Sequence, residues 1–214
     1  MMSDTNKQNT SSVESNEWPE KLPAHVALKG MLYGYELNDD LAVNYDFGEF
    51  VVVALTGVPP SRVWGQAANI ALVLLANATI ADASVHAASV ARRCGADEKS
   101  TLATGLIVLT EEAAALVRAE AGPHDDPEAV ARVLASLPAE VREHIGTRHT
   151  SVKELALAVL ASVGIENPLQ QMSAVCMARL PILAAESNAA RPKDLRSYPM
   201  QLPRFQYEPP ERDV

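Results

Sequence analysis

The chain's imidazoles are His25, His86, His124, His144 and His149. Imidazole is the side chain used most often to move protons near neutral pH. His86 falls with Asp82, Ser89 and Arg93 on one helical face, and no acid or nucleophile is spaced to work with it. A surface histidine is the simpler reading. His124-Asp125-Asp126 carries metal-ligand side chains, but three consecutive residues cannot enclose a cation, and the run reads as a solvated loop. His144 and His149 stand five apart around Gly146, which is not the i, i+4 spacing of a helical zinc pair. Glu111-Glu112 could act as paired carboxylates, yet a hydrophilic helix face explains them more simply.

Arg179 is the more pointed residue. It lies inside the apolar stretch Gln171–Ser187, where a charge is costly unless paired or exposed, and Pro181 follows two residues later. A proline there should kink the helix and free backbone groups. Arg179 therefore reads either as an anion binder at a kink or as a side chain whose stem covers apolar surface while its head reaches water.

Helices must position these groups. Phe47 to Thr56 reads as one apolar helix closed by Gly57. Pro59-Pro60-Ser61 opens a second that runs to about Ala78. A third spans Asp82 to Cys94 and ends at Gly95, with Ala83, Ala87, Val90, Ala91 and Cys94 on its inner face. Asp97 caps a fourth that runs to about Glu120. After a breaker-rich loop at 121–127, short helices are expected over Pro127–Leu134 and Pro138–His144. Ser151–Val163, stopped by Gly164, and Leu169–Ala190, launched by Asn167-Pro168, complete the set.

Composition agrees with an all-α chain. Of 34 alanines, 31 lie between Ala54 and Ala190, against ten aromatics in 214 residues. Alanine favours helices, is poor in strands and lets helices approach closely. Size scaling lets such a chain bury about 70% of its unfolded surface, so a core needs no staples. Cys94 and Cys176 stand far apart without a Cys-x-x-Cys pattern, which argues against a disulfide framework or zinc site and for a reducing cytoplasm. A net charge of −9 disfavours a nucleic-acid backbone as partner. Residues 1–23 are polar and aperiodic and read as a disordered arm without an apolar leader core. The stretch Ala71–Ala81 is too short and broken to span a membrane. Residues 191–214 are Pro-rich and read as an extended tail.

The order of several segments resembles the citrate synthase superfamily, closest in style to its short, citryl-CoA lyase-like members. Gly34-Tyr35-Glu36-Leu37-Asn38-Asp39, Phe47-Gly48-Glu49-Phe50 and Leu55-Thr56-Gly57-Val58-Pro59-Pro60-Ser61 are similar to the family's opening segments. Asp82-Ala83-Ser84 through Ala91-Arg92, then Gly95-Ala96-Asp97 and Ser100 through Gly105, resemble a stretch that runs Asn-Ala-Ser, Ala-Arg, Gly-Ala and Ala-Ala-Gly. Ala178-Arg179-Leu180-Pro181 resembles an Ala-Arg-Thr-Pro segment. Together these cover roughly residues 30–117 and 155–207.

The resemblance implies a large helical domain (residues 24–190) whose small domain is largely deleted, with residues 121–150 as its reduced remnant. It also implies Claisen chemistry on an acyl-CoA and an oxoacid, but most of the implied machinery does not carry over. The oxoacid-holding Ala-Asp-His position reads Ala76-Asn77-Ala78. The His-Gly-Gly position falls in Leu109-Thr110-Glu111-Glu112. Ile145-Gly146-Thr147-Arg148 resembles Ile-Gly-His-Arg with Thr147 in place of the histidine. Glu186 stands where a histidine follows Ala-Arg-Thr-Pro-Gly, and Ile182 replaces the glycine. Arg179 is the matched ligand residue, and Arg148 is carried beside it as a second substrate-binding candidate. No residue is assigned a catalytic role; His149 and His86 are kept as candidates. Claisen chemistry needs a base for a carbon-bound proton and donors for the enolate, and an arginine alone supplies neither.

The expected function is thus a catalytically degenerate subunit that dimerises with itself or with a full-length citrate-synthase-like partner, in a structural or regulatory role. The Ala-rich helices at 61–78 and 82–94 are the expected contact. Alternatives are an active lyase or acyltransferase with rearranged groups, and a small-ligand sensor or scaffold. No cofactor or metal is expected, a CoA thioester is the ligand the resemblance suggests, and neither nucleic acid nor membrane is an expected partner.

Overall fold

The computed structural model describes residues 30–118 and 126–197. The 1–23 arm, His25, His124, Asp125 and the tail beyond residue 197 lie outside the described residues.

A two-stranded antiparallel hairpin, β1 (Met31–Leu32) and β2 (Tyr35–Glu36), opens the fold. Its two-residue turn uses positive φ at Tyr33 (50°) and Gly34 (90°), a geometry that matches strand twist but strains a residue with a Cβ. A π-helical turn over Leu37–Leu41 and α1 (Ala42–Asn44) follow. Then comes α2 (Phe47–Thr56), with the bounds the sequence predicts. Asp46 accepts from the Glu49 amide and the Glu49 carboxylate accepts from the Asp46 amide, each at 2.9 Å, a reciprocal cap that satisfies two orphan donors. Gly57, at φ 75°, ends the helix, and the Tyr33 ring lies 3.1 Å from where a Cβ would stand on it.

The remaining helices are α3 (Arg62–Leu75), α4 (Ala83–Arg93), α5 (Glu98–Arg118), α6 (Pro127–Ser136), α7 (Ala139–Ile145), α8 (Val152–Ser162), α9 (Pro168–Ala189) and α10 (Pro192–Ser197). The starts follow local caps: Asp126, Ser151 and Asn167 accept from backbone amides at the heads of α6, α8 and α9. The tail was expected to be extended from residue 191, but Pro192 at the first helical position and Asp194, which accepts from the Arg191 amide at 3.0 Å, start α10 instead.

Two cores share α9. The larger gathers Val51 and Val52 of α2, Ala67, Ala68, Ala71, Leu72 and Leu75 of α3, Val141 of α7, Leu155, Val159 and Leu160 of α8, and Ala174 and Val175 of α9. The smaller joins Val85 and Ala88 of α4, Leu109 of α5 and Leu183 of α9. A Cβ on Gly105 would stand 2.9 Å from both Ala88 and Leu183, so a residue without one lets α4, α5 and α9 pack this tightly.

One expectation about helix faces changes. The buried stripe of α4 is Ser84, Val85, Ala88 and Ser89, rotated from the expected Ala83/Ala87/Val90/Ala91/Cys94 face, and Val90 is 39% exposed. Polar Ser84 and Ser89 enter the interior because both hydroxyls are bonded, Ser84 to Glu112 at 2.6 Å and Ser89 to the Val85 carbonyl at 2.7 Å. Ala67, Ala68 and Ala71 of α3 are fully buried within the chain. Uncovered apolar side chains lie on several elements, among them Val43 of α1 and Val73 of α3, each 73% exposed. On α5 and α9, Leu102, Leu106, Ile107 and Leu169 are exposed, with Ile107 at 69% and Leu169 at 70%. By length and composition α5 passes as a membrane-spanning helix, yet it packs along both α4 and α9.

Candidate functional site

Arg179 sits on α9 between Val175, in the larger core, and Leu183, in the smaller. Its Nε donates to the Leu75 carbonyl at 2.9 Å, across 104 residues. Leu75 ends α3, so the guanidinium satisfies an orphan carbonyl at the negative end of that helix. Ala76-Asn77-Ala78 follows immediately, so the structure brings Arg179 beside the segment that matched the oxoacid-holding motif. Asn77 and Ala78 stand where the motif would place an acid and an imidazole.

Lys153 completes the surroundings. It lies in the first turn of α8, half-buried, and its ammonium is held below the ordinary lysine range by burial and then by the charge of Arg179. Arg179 also faces Cys176, one turn earlier on α9, whose thiol is pushed up by burial despite that neighbouring charge. Among the described residues no carboxylate pairs with either Arg179 or Lys153. Arg179 therefore offers positive charge and hydrogen-bond donors.

The other candidates lie apart from this centre. His149 has a side chain only 10% exposed. Its Nε2 donates to the Ile145 carbonyl at 3.2 Å, and its buried Nδ1, without a hydrogen-bond partner, faces Glu154 at 3.9 Å. Arg148 and Thr147 are exposed in the turn between α7 and α8. His86 is half-buried on α4 rather than on the solvated face expected for it, and its Nδ1 lacks a partner. His144 is exposed and meets the Trp64 ring edge-on, with centroids 5.3 Å apart. Glu111 and Glu112 do not act as a pair: Glu111 is exposed, while Glu112 accepts from the amide and hydroxyl of Ser84 at 3.0 and 2.6 Å. Glu112 thereby satisfies the head of α4, since the N-cap residue Asp82 turns back to accept from the Thr79 amide and hydroxyl instead. Of the His124–Asp126 run only Asp126 is described, and it caps α6. No group of three metal-ligating side chains gathers among the described residues.

Sequence reasoning did not single out Lys153, Glu49 or the capping role of Glu112. Asp46 and Glu49 carried a legible signal, an acid-x-x-Glu spacing at a helix start. Lys153 and Glu112 carried none, because each acts on a residue of another helix.

No family model matches the chain, and no curated protein matches it. The fold is similar to the solved structure of citryl-CoA lyase from Hydrogenobacter thermophilus, with a TM-score of 0.51, 16% sequence identity, and coverage of 86% of this chain and 92% of that one. The architecture is a citrate-synthase-like helical fold, of the kind that citryl-CoA lyase adopts.

Proposed function

We propose that the chain is a catalytically degenerate citrate-synthase-like subunit that dimerises, with itself or with a complete homologue, and serves as its structural or regulatory partner. The observation that carries this reading is the uncovered apolar surface on α5 and α9. These helices pack side by side, and between them lies an apolar groove of about 370 Å³ lined by Leu106, Leu169, Met172, Met177 and Leu180. Two adjacent helices of 21 and 22 residues present a face roughly 30 Å by 20 Å, about 600 Å², the larger part of the ~800 Å² per partner of a stable interface. The replacement of the family's histidines at Ala78, Thr147 and Glu186 supports degeneracy: a CoA thioester and an oxoacid would find a carboxylate anchor at Arg179 without those imidazoles.

The test is oligomeric state by light scattering, together with turnover of a CoA thioester followed by thiol release. A dimer is expected, without turnover of its own, and Ile107→Glu should dissociate it while leaving its helical content intact. A wild-type chain that stays monomeric and binds no citrate-synthase-like partner defeats the proposal.

His149 gives a second reading some support. A nine-tenths buried imidazole with a free ring nitrogen beside a carboxylate is what an active enzyme with rearranged groups would need. Thioester cleavage that disappears in His149→Ala would establish that reading and remove the first.

A further inference from the structure

We propose that the cavity where the α2–α3 and α8–α9 turns meet is a binding site for a primary ammonium ion carrying an apolar body.

The last residues of α2 and α8, Thr56 and Ser162, both line this cavity, which has a volume of about 520 Å³. The two helix ends are in contact, since a Cβ on Gly164 would lie 3.6 Å from Cγ2 of Thr56. Gln170 of α9 ties them together by donating from its side chain to the Leu55 carbonyl at 2.6 Å. The rest of the wall includes Val58, the two prolines that follow it and the Trp64 side chain.

Acceptors are left over in this wall, and most donors are used. The Val58 amide donates to Thr56 Oγ1 at 3.1 Å, and the Val163 and Gly164 amides donate to the Leu160 and Ala161 carbonyls at 3.2 and 2.9 Å. Pro59 and Pro60 have no amide to offer. The carbonyls of Thr56, Ser162 and Val163, by contrast, accept no hydrogen bond among the described residues. The Gln170 side-chain oxygen is a further acceptor, because its nitrogen is the atom turned to Leu55. Two helices end here, so the free carbonyls lie at their negative poles. No basic side chain lines the cavity to answer them.

A primary ammonium fits each of these features. It brings three donors for the carbonyls and a positive charge for the helix ends. Its alkyl body would lie against Val58, the prolines and Trp64, and an indole face also attracts a cation. An alcohol of the same shape brings one donor and no charge. A free amine and a lysine side chain share this chemistry.

The test is binding by calorimetry at neutral pH and constant ionic strength, with n-hexylammonium, Nα-acetyl-lysine methylamide and 1-hexanol as probes. Wild-type protein should bind at least one of the two ammonium probes at least tenfold more tightly than 1-hexanol, the scale of two helix ends and one aromatic face acting on a charge. The tighter of the two identifies the source as a free amine or a lysine side chain. Val58 is 57% exposed, so it accepts a charged side chain without disturbing the core. Val58→Lys should weaken ammonium binding at least fivefold and Val58→Glu should strengthen it several-fold, while both leave 1-hexanol binding and helical content unchanged. Val43→Lys adds the same charge at a 73% exposed position on α1 and should bind as wild type. Trp64→Leu keeps an apolar wall without the indole and should reduce the preference for ammonium over alcohol. Equal affinity for the alcohol and both ammonium probes, or Val58→Lys and Val58→Glu binding alike, overturns the proposal.

Discussion

Arg62 and Arg179 each reach across a helix pair in this fold, and they end differently. Arg62, on α3, lies 3.2 Å from Glu49 of α2, whose side chain is only 3% exposed. Glu49 also accepts from the Asp46 amide, and it lies against the α3 backbone at Gly65. Every charge in that joint has a partner within the chain. Arg179 bonds a backbone carbonyl and, among the described residues, pairs with no acid. The opening motif and the late motif are both legible in the sequence, but one closes on itself and the other remains open. A closed set of charges holds helices together, whereas an open set of one sign is available to something outside the chain.

The closed joint should give the largest effect when broken. A Cβ on Gly65 would stand 2.3 Å from Cγ of Glu49, so Gly65→Ala is expected to lose about 2–3 kcal/mol by overpacking. Glu49→Ala removes half of the reciprocal cap and the buried partner of Arg62, for a loss of about 3 kcal/mol. Combined, the two should lose at least ~1 kcal/mol less than their sum, since the methyl then fills space the carboxylate has left. Urea unfolding of the four proteins measures this cycle, and strict additivity would show that Gly65 does not make room for Glu49.

Glu112 comes next. Replacing it with Ala strands the Ser84 amide and hydroxyl at the head of α4, with an expected loss of about 1–2 kcal/mol. Glu111→Ala, at an exposed neighbour, should change little. Similar losses from both would return the pair to a shared surface role.

The smallest effect belongs to the open site. The pKa of Lys153 is lower in the folded chain than the ordinary 10.5. Between those two values the unfolded chain binds the extra proton, so this group's contribution to stability rises as pH rises toward 10.5. Lys153→Met should therefore unfold slightly later than wild type at neutral pH, and the gap should narrow as pH rises into that window. A gap that widens with pH would show that the ammonium is compensated after all.

Most of the helix boundaries were legible because their causes are local. Asp46, Ser151 and Asn167 bond amides within three residues, and Gly57 and Gly164 take the positive φ that ends a helix. The candidate site was legible only at Arg179, where a charge interrupts an apolar run. His86 shows the opposite case, since helical spacing placed it on a solvated face and packing against α5 and α9 turned that face inward.

By itself the sequence determined an all-α chain and the order of its helices, because residue identity and spacing within a few residues decide both. The tertiary structure decided which face of α4 is buried, that Glu112 rather than Asp82 completes its head, and that Arg179 meets the end of α3. Those outcomes depend on contacts between helices far apart in sequence, such as the 28 residues from Ser84 to Glu112, and no local pattern encodes the helices' relative rotation.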